Sequence, residues 1–177
     1  IASEFVLPDG PILDLCTGSG AILFGLADLL KGPLPQMTGV ELSPEAIAWA
    51  RLNLEKYPTP EITFVEGDLF IPVQGQKFAL ITSNPPYVTD GEYAVLPDDV
   101  RINEPQLALT AGGDGLDILR RLFAEAPQFL LPGGHLICEI GELQGDAVCE
   151  LATAAGLQNA EILLDYTKRP RFVHATN

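Results

Sequence analysis

Positive charge is scarce in this chain of 177 residues. Ten Lys and Arg stand against twenty-four Asp and Glu, a formal net charge of −14. So acidic a chain repels a phosphate backbone at long range, which weighs against DNA or RNA as a direct partner. Its basic residues cluster only weakly, at Lys168, Arg169 and Arg171. Cysteine is scarce too. Cys16, Cys138 and Cys149 have no metal-ligand spacing and cannot all pair, so they read as buried free thiols of a reducing cytoplasm. His135 and His174 stand isolated in the sequence, and no metal site is expected. No apolar run reaches the roughly 18 residues that span a bilayer, and no signal peptide is visible. Neither a repeat nor a low-complexity tract nor a linker divides the chain, so residues 1–177 read as a single domain.

What is present is apolar and punctuated. Hydrophobic residues make up 47% and charged residues 19%, proportions that suit a buried parallel sheet. Residues 12–16 read as a strand, Thr17-Gly18-Ser19-Gly20 as a glycine loop and residues 21–30 as a helix. Strand, glycine loop and helix form the nucleotide-side half of a doubly wound sheet. The dinucleotide fingerprint wants a third glycine at position 23, where Leu23 stands, so a pyrophosphate is disfavoured. A P-loop is excluded, because no Gly-Lys-Ser/Thr occurs.

Residues 36–42 read as the next strand, with Glu41 near its end. An acid about twenty residues beyond a glycine loop is where ribose hydroxyls are held; its bland reading is a solvated strand-end carboxylate. Ser43-Pro44 then opens a helix as N-cap and first helical residue. Residues 62–65 form a third strand closed by Gly67-Asp68-Leu69-Phe70. Asp68 can accept from an adenine amino group and Leu69 can pack on the ring, though a Gly-Asp turn explains the pair equally well.

Asn84-Pro85-Pro86-Tyr87 carries the most information. It follows the apolar run 78–83, a buried strand. Two prolines remove donors, stiffen the chain and leave carbonyls to accept. The Asn84 side-chain oxygen and a backbone carbonyl can together grip one planar NH2 group, with Tyr87 beside it. Read blandly, the run is a strand ending in a Pro-rich turn.

The remaining chain predicts a helix behind Asp114 as N-cap, broken at Pro127, then a turn at 131–134 and a strand at 135–140. A helical face through Ala147, Val148, Leu151, Ala152 and Ala155 comes next, then strands at 158–165 and 171–175. The class is α/β, with seven strands in a mostly parallel sheet and helices on both faces. Residues 88–113 show no periodicity. A loop so long in a compact domain is usually a lid or binding loop.

In this order the motifs describe an adenosyl pocket without phosphates, succeeded by an amine-holding strand end. The chain resembles the HemK family of peptide chain release factor glutamine methyltransferases. The resemblance runs from Asp14-Leu15-Cys16-Thr17-Gly18-Ser19-Gly20 through Gly67-Asp68-Leu69-Phe70 and Ser83-Asn84-Pro85-Pro86-Tyr87-Val88. It continues in Glu104-Pro105, Gly112-Gly113-Asp114-Gly115-Leu116-Asp117, Glu139-Ile140-Gly141 with Gln144, and the stretch from Arg169. It implies a Rossmann-like S-adenosylmethionine-dependent methyltransferase fold whose last strand runs antiparallel between its neighbours. It implies that S-adenosylmethionine is held by Asp14, Cys16, Thr17, Gly18, Ser19, Gly20, Glu41, Asp68, Leu69 and Asn84, leaving S-adenosylhomocysteine as product. Asn84, Pro85, Pro86 and Tyr87 then receive the amide of a glutamine in a protein, a release factor being favoured, and Glu104 orders the substrate. The expected setting is cytoplasmic, with no membrane; nothing in the sequence sets the oligomeric state.

Two departures stand out: Cys16 occupies a position where the family usually has glycine, and Leu69 one where some members have an aromatic residue. The family also carries an N-terminal helical domain, so this chain, starting at Ile1, is expected to be the catalytic domain alone. Other readings stay open: a ribosomal-protein glutamine methyltransferase, an RNA or DNA exocyclic-amine methyltransferase, and a non-catalytic adenosyl-binding module.

Overall fold

The fold is set by where the apolar runs sit. In the computed structural model, which describes residues 9–177, seven runs become seven strands: β1 (Ile12–Leu15), β2 (Met37–Glu41), β3 (Ile62–Glu66), β4 (Phe78–Ser83), β5 (Leu130–Glu139), β6 (Gln158–Leu164) and β7 (Pro170–Thr176). They lie in one sheet in the order β3-β2-β1-β4-β5-β7-β6. The first five are parallel; β7 runs antiparallel to both β5 and β6. The expected reversed strand is therefore β7, inserted between its neighbours.

β1 and β4 sit at the centre, and every residue of each is buried. That is why both read as continuous apolar runs rather than alternating ones. Helices α1 (Ala21–Leu29), α2 (Pro44–Lys56), α5 (Asp117–Glu125) and α6 (Gly145–Ala154) pack on the sheet, while α3 (Asp90–Tyr93) and α4 (Asp98–Asn103) are short. The buried side chains fall into two clusters. One gathers Phe70, Phe78, Leu122, Phe123 and Leu136; the other gathers Leu23, Met37, Ile47, Phe64 and Leu80. Ser43 caps α2, its hydroxyl accepting from the Ala46 N–H at 3.2 Å, with Pro44 in the first turn.

Four expectations about local structure need correction. Cys16 is not in a strand: β1 ends at Leu15, and Cys16 turns into the left-handed region at φ 55°. Asp114 does not cap α5, which starts three residues later. Its carboxylate instead accepts from the Leu116 N–H and pairs with Arg120. Residues 131–134 are not a free turn but an irregular stretch inside β5, where the register with β4 shifts. His135 and His174 are not isolated. Their ring nitrogens lie 2.9 Å apart, and the His174 Nδ1 is 3.0 Å from Glu161. Strands β5, β7 and β6 bring together side chains far apart in sequence.

Residues 88–113 are also not shapeless. The Val88 N–H donates to the Leu109 carbonyl and the Ala111 N–H to the Val88 carbonyl, so the segment leaves and returns through one bridged neck. Within it α3 begins with a reciprocal cap between Thr89 and Glu92, and neither α3 nor α4 buries a residue. Helices this short carry no apolar period to read.

Candidate functional site

The carboxyl ends of the parallel strands gather the residues singled out in the sequence. At the end of β1 the chain makes a tight loop over residues 16–20. The Thr17 N–H donates to the Val40 carbonyl and the Gly20 N–H to the Thr17 carbonyl. Gly20, at φ 82°, opens α1, and a Cβ there would lie 2.5 Å from the Phe64 ring. Only glycine satisfies both demands. Cys16 at φ 55° and Leu69 at φ 46° are side-chain-bearing residues in the same region. Such strain, of order 1–3 kcal/mol, gathers at functional loops.

Glu41, at the end of β2, joins that loop to the next helix. One carboxylate oxygen accepts from the Gly18 N–H at 2.8 Å and the other from the Ser43 N–H at 2.9 Å. Each oxygen retains a second lone pair. Asn53 of α2 reaches back to the Ser19 carbonyl at 3.0 Å. Sequence reasoning missed this contact, because nothing local marks a helix-surface amide.

Asp14 is held inside the loop by two hydroxyls. It is 0% exposed, and its two oxygens accept from the hydroxyls of Thr17 at 2.6 Å and Thr82 at 2.7 Å. Burial pushes its carboxyl up to about 6, against the pull of those hydroxyls. Thr17 is likewise 6% exposed and faces Asp14. Leu69 is 5% exposed and lies in the main core. Asp68 is half-buried and ion-paired with Arg121 of α5 at 2.7 Å. No local pattern marks that partner, which comes from the far side of the long segment.

The second half of the site lies beyond β4. Asn84 is exposed, Pro85 buried, and Pro86 and Tyr87 half-buried. The Ser83 hydroxyl ties the strand end to the Leu15 carbonyl at 2.9 Å. Gln144 fastens the far end of the run. Its amide NH2 donates to the Tyr87 carbonyl at 3.0 Å and the Gly115 carbonyl at 3.2 Å, while its oxygen accepts from the Gly141 N–H at 2.9 Å. Gly115, at φ 71°, lies so close that a Cβ there would collide with the Tyr87 carbonyl. The Gly-Gly-Asp-Gly segment and Gln144 therefore brace the Asn84 run from behind. Glu104 is exposed at the end of α4, outside these contacts.

A cleft of about 490 Å³ opens beside Asn84, lined also by Ile22, Ile137, Glu139, Tyr166 and Phe172. The Tyr87 hydroxyl donates to the Glu139 carboxylate at 3.2 Å. Burial raises the Glu139 carboxyl, opposed by the Tyr87 hydrogen bond and the Arg171 charge. Burial also raises the Tyr87 phenol, helped by the Glu139 charge and opposed by Arg171. Glu139 enters the sequence reading only inside a motif; its place at a strand's carboxyl end, like that of Glu41 and Asn84, was the available signal. Cys16, Cys138 and Cys149 are all free thiols, and burial lifts Cys16 to about 12 and Cys138 upward. Thiols held protonated in this way are poor nucleophiles.

Known proteins share both the sequence pattern and the fold. A family model described as a methyltransferase domain matches residues 8–169. A release factor glutamine methyltransferase of Geobacter sulfurreducens is 43% identical over 82% of this chain and 50% of its own length. A ribosomal protein uL3 glutamine methyltransferase of Xanthomonas campestris is 41% identical over 73% of this chain and 41% of its own. The chain thus spans about half the length of the curated relatives it matches. Among solved structures, a methyltransferase from Pyrococcus furiosus superimposes with a TM-score of 0.71 at 19% identity, covering 98% of this chain and 77% of that one.

Proposed function

We propose that this chain, which belongs to the methyltransferase domain family, moves a methyl group from S-adenosylmethionine to the side-chain amide nitrogen of a glutamine in a protein, with a release factor as substrate. The observation that carries this reading is Asn84. It stands exposed at the end of a fully buried central strand, next to the residue 16–20 loop across β1 and on the wall of the 490 Å³ cleft.

The residues at the end of β1 fit such a cofactor. Glu41 and Asp68 line the ends of β2 and β3 with negative charge, and the nearby Arg121 is engaged by Asp68. That field suits a cationic nucleoside and opposes a pyrophosphate. Backbone of Cys16, Thr17, Gly18, Ser19 and Gly20 would hold the methionine end, and Glu41 the ribose through its remaining lone pairs. When bound, the cofactor supplies a sulfonium methyl, an electrophile that needs no metal.

An amide nitrogen is a poor nucleophile, because its lone pair is delocalised into the carbonyl. The chain's task is therefore alignment. The Asn84 side-chain oxygen and the Pro85 carbonyl accept the two amide hydrogens and turn the lone pair toward the methyl. Positioning of this kind is worth about 7–11 kcal/mol. Pro85 and Pro86 make the acceptor set rigid, and Gln144 and Gly115 keep it in place behind.

Two glutamine-bearing substrates are distinguished by one experiment. The protein is incubated with S-adenosylmethionine and either a release factor or ribosomal protein uL3, and peptides are read by mass spectrometry. One added methyl on a release-factor glutamine is expected. Methylation of uL3 alone would move the substrate to the ribosomal reading, which the Xanthomonas relative favours. Transfer to RNA would overturn the protein-substrate reading. The acidic charge of −14 supports the protein, and the three free thiols support a reducing, cytoplasmic setting.

A further inference from the structure

Methyl transfer to an amide leaves a nitrogen that must lose a proton, and Asn84 and the Pro85 carbonyl give that proton no destination. Both are acceptors that steady the amide, and neither is a base. The cleft does contain one. Ser83 of β4 pairs with Cys138 of β5, and Asn84 and Glu139 are the next residues along the two chains. Both line the same cleft. The Glu139 carboxylate is fixed at one oxygen by the Tyr87 hydroxyl at 3.2 Å, and Tyr87 is the last residue of the amide-holding run. The positive charge of Arg171 in β7 acts on both groups, favouring their ionised forms.

We propose that Glu139 takes the proton released by the reacting glutamine amide, with the Tyr87 hydroxyl holding its carboxylate in place. This rests on the reading of the chain as a glutamine methyltransferase. As the nitrogen lone pair forms the N–C bond, the C–S bond breaks and its electron pair goes to sulfur. The nitrogen then carries the positive charge. One of the two N–H protons, until then held by its oxygen acceptor, is released and passes to the free oxygen of Glu139, leaving a neutral N-methyl amide and a carboxylic acid. The acid returns its proton to water when the product leaves through the open cleft.

Two features favour Glu139 over water as acceptor. Ile22, Ile137, Leu164, Tyr166 and Phe172 give the cleft largely apolar walls, so a substrate filling it displaces solvent. Glu139 is also half-buried, which raises its basicity, as a proton acceptor near neutral pH requires. The charged and titratable groups around it are Tyr87 after β4, Arg171 of β7, and Asp165, Tyr166 and Lys168 of the β6–β7 turn.

The test compares wild type with Glu139→Gln, which keeps an oxygen for Tyr87 and the side-chain volume. Single-turnover methyl transfer to a release factor is monitored from pH 5 to 9, with substrate affinity measured separately by calorimetry. Wild type should lose rate on the acid side as Glu139 protonates. Glu139→Gln should bind substrate within about threefold of wild type, transfer methyl about 100-fold more slowly, and lose that acid limb. Independently of activity, the Tyr87 ring resonance should shift as Glu139 titrates in wild type and show no such step in Glu139→Gln. A variant with wild-type rate and an unchanged acid limb overturns the proposal even if Tyr87 senses Glu139. A variant that only loses substrate affinity overturns it too, leaving Glu139 a binding group. If wild type transfers no methyl while Tyr87 still reports the titration, the glutamine methyltransferase reading has failed and the proton role falls with it.

Discussion

At the end of β1 the loop is held by backbone donors and two buried or half-buried carboxylates. At the end of β4 the chain is held by prolines and by side chains from distant segments. The first arrangement is more local: Asp14, Thr17 and Glu41 lie within one strand-loop-helix-strand unit, with Thr82 of β4 the one distant partner of Asp14. The second is assembled: Tyr87, Gly115, Glu139, Gln144 and Arg171 come from five places along the chain. The difference matches what each would recognise under the proposed function. A nucleoside is invariant and suits a rigid backbone cradle, whereas a protein side chain must enter, react and leave.

The sharpest way to break this comparison is Asn84→Ala. If the β4 end is the reactive half, truncating its exposed acceptor should lower glutamine methylation about 100- to 1000-fold. Melting should change little, because Asn84 is exposed. Cofactor affinity, measured by calorimetry, should fall only modestly. A near-normal rate would return the run to a strand-ending turn.

Asp14→Asn probes the other half through stability. Burial raises the folded-state carboxyl from 3.8 to about 6. The raised value means the folded state holds the proton more tightly than the unfolded chain. The contribution is therefore fully present below pH 4 and lost as pH rises through about 6. At 1.36 kcal/mol per unit the upper bound is about 3 kcal/mol. Acidifying from pH 7 to 4 should thus favour wild type over Asp14→Asn by up to that amount in urea melts. A pH-independent difference would mean that Asp14 titrates normally. Glu41→Ala should act on the same half through the ligand. It removes a charged ribose acceptor and also frees the Gly18 and Ser43 N–H groups. A loss of about 1.5–3 kcal/mol corresponds to roughly 10- to 150-fold weaker S-adenosylmethionine binding by calorimetry. An unchanged affinity would place the ribose elsewhere.

The same contrast decides what was legible in the sequence. The β1 loop could be read because its determinants are short-range: an apolar run, glycines, and an acid at the end of the next strand. Which way the Asp14 and Leu69 side chains face was not legible, because that is set by packing against Thr82 and the core. The Asn84 run was visible because Asn-Pro-Pro-Tyr is rare chemistry at a strand end. Its supports were not visible. Gln144 reaches Tyr87 across 57 positions and Glu139 reaches it across 52. Such partners become neighbours only after the sheet order is fixed. The histidine pair was missed for the same reason, since β7 sits between β5 and β6.

The smallest expected effect tests whether the assembled half depends on its brace. Gln144→Ala removes the donor to the Tyr87 and Gly115 carbonyls and the acceptor of the Gly141 N–H. These groups are half-buried rather than sealed, so water replaces part of the loss and stability should fall by about 1 kcal/mol. The Tyr87 carbonyl then loses its fixed position, and with it the alignment of Asn84. Turnover should drop about 10-fold, since small misplacements at a reacting centre are felt strongly. S-adenosylmethionine affinity should not move, because the β1 loop makes none of these contacts. Gln144→Glu sharpens the test. It keeps an acceptor for Gly141 but sets a carboxylate against two carbonyls, so it should be at least as slow as Gln144→Ala. If instead Gln144→Ala weakens cofactor binding and leaves turnover intact, the two halves share one support, and their separation does not hold.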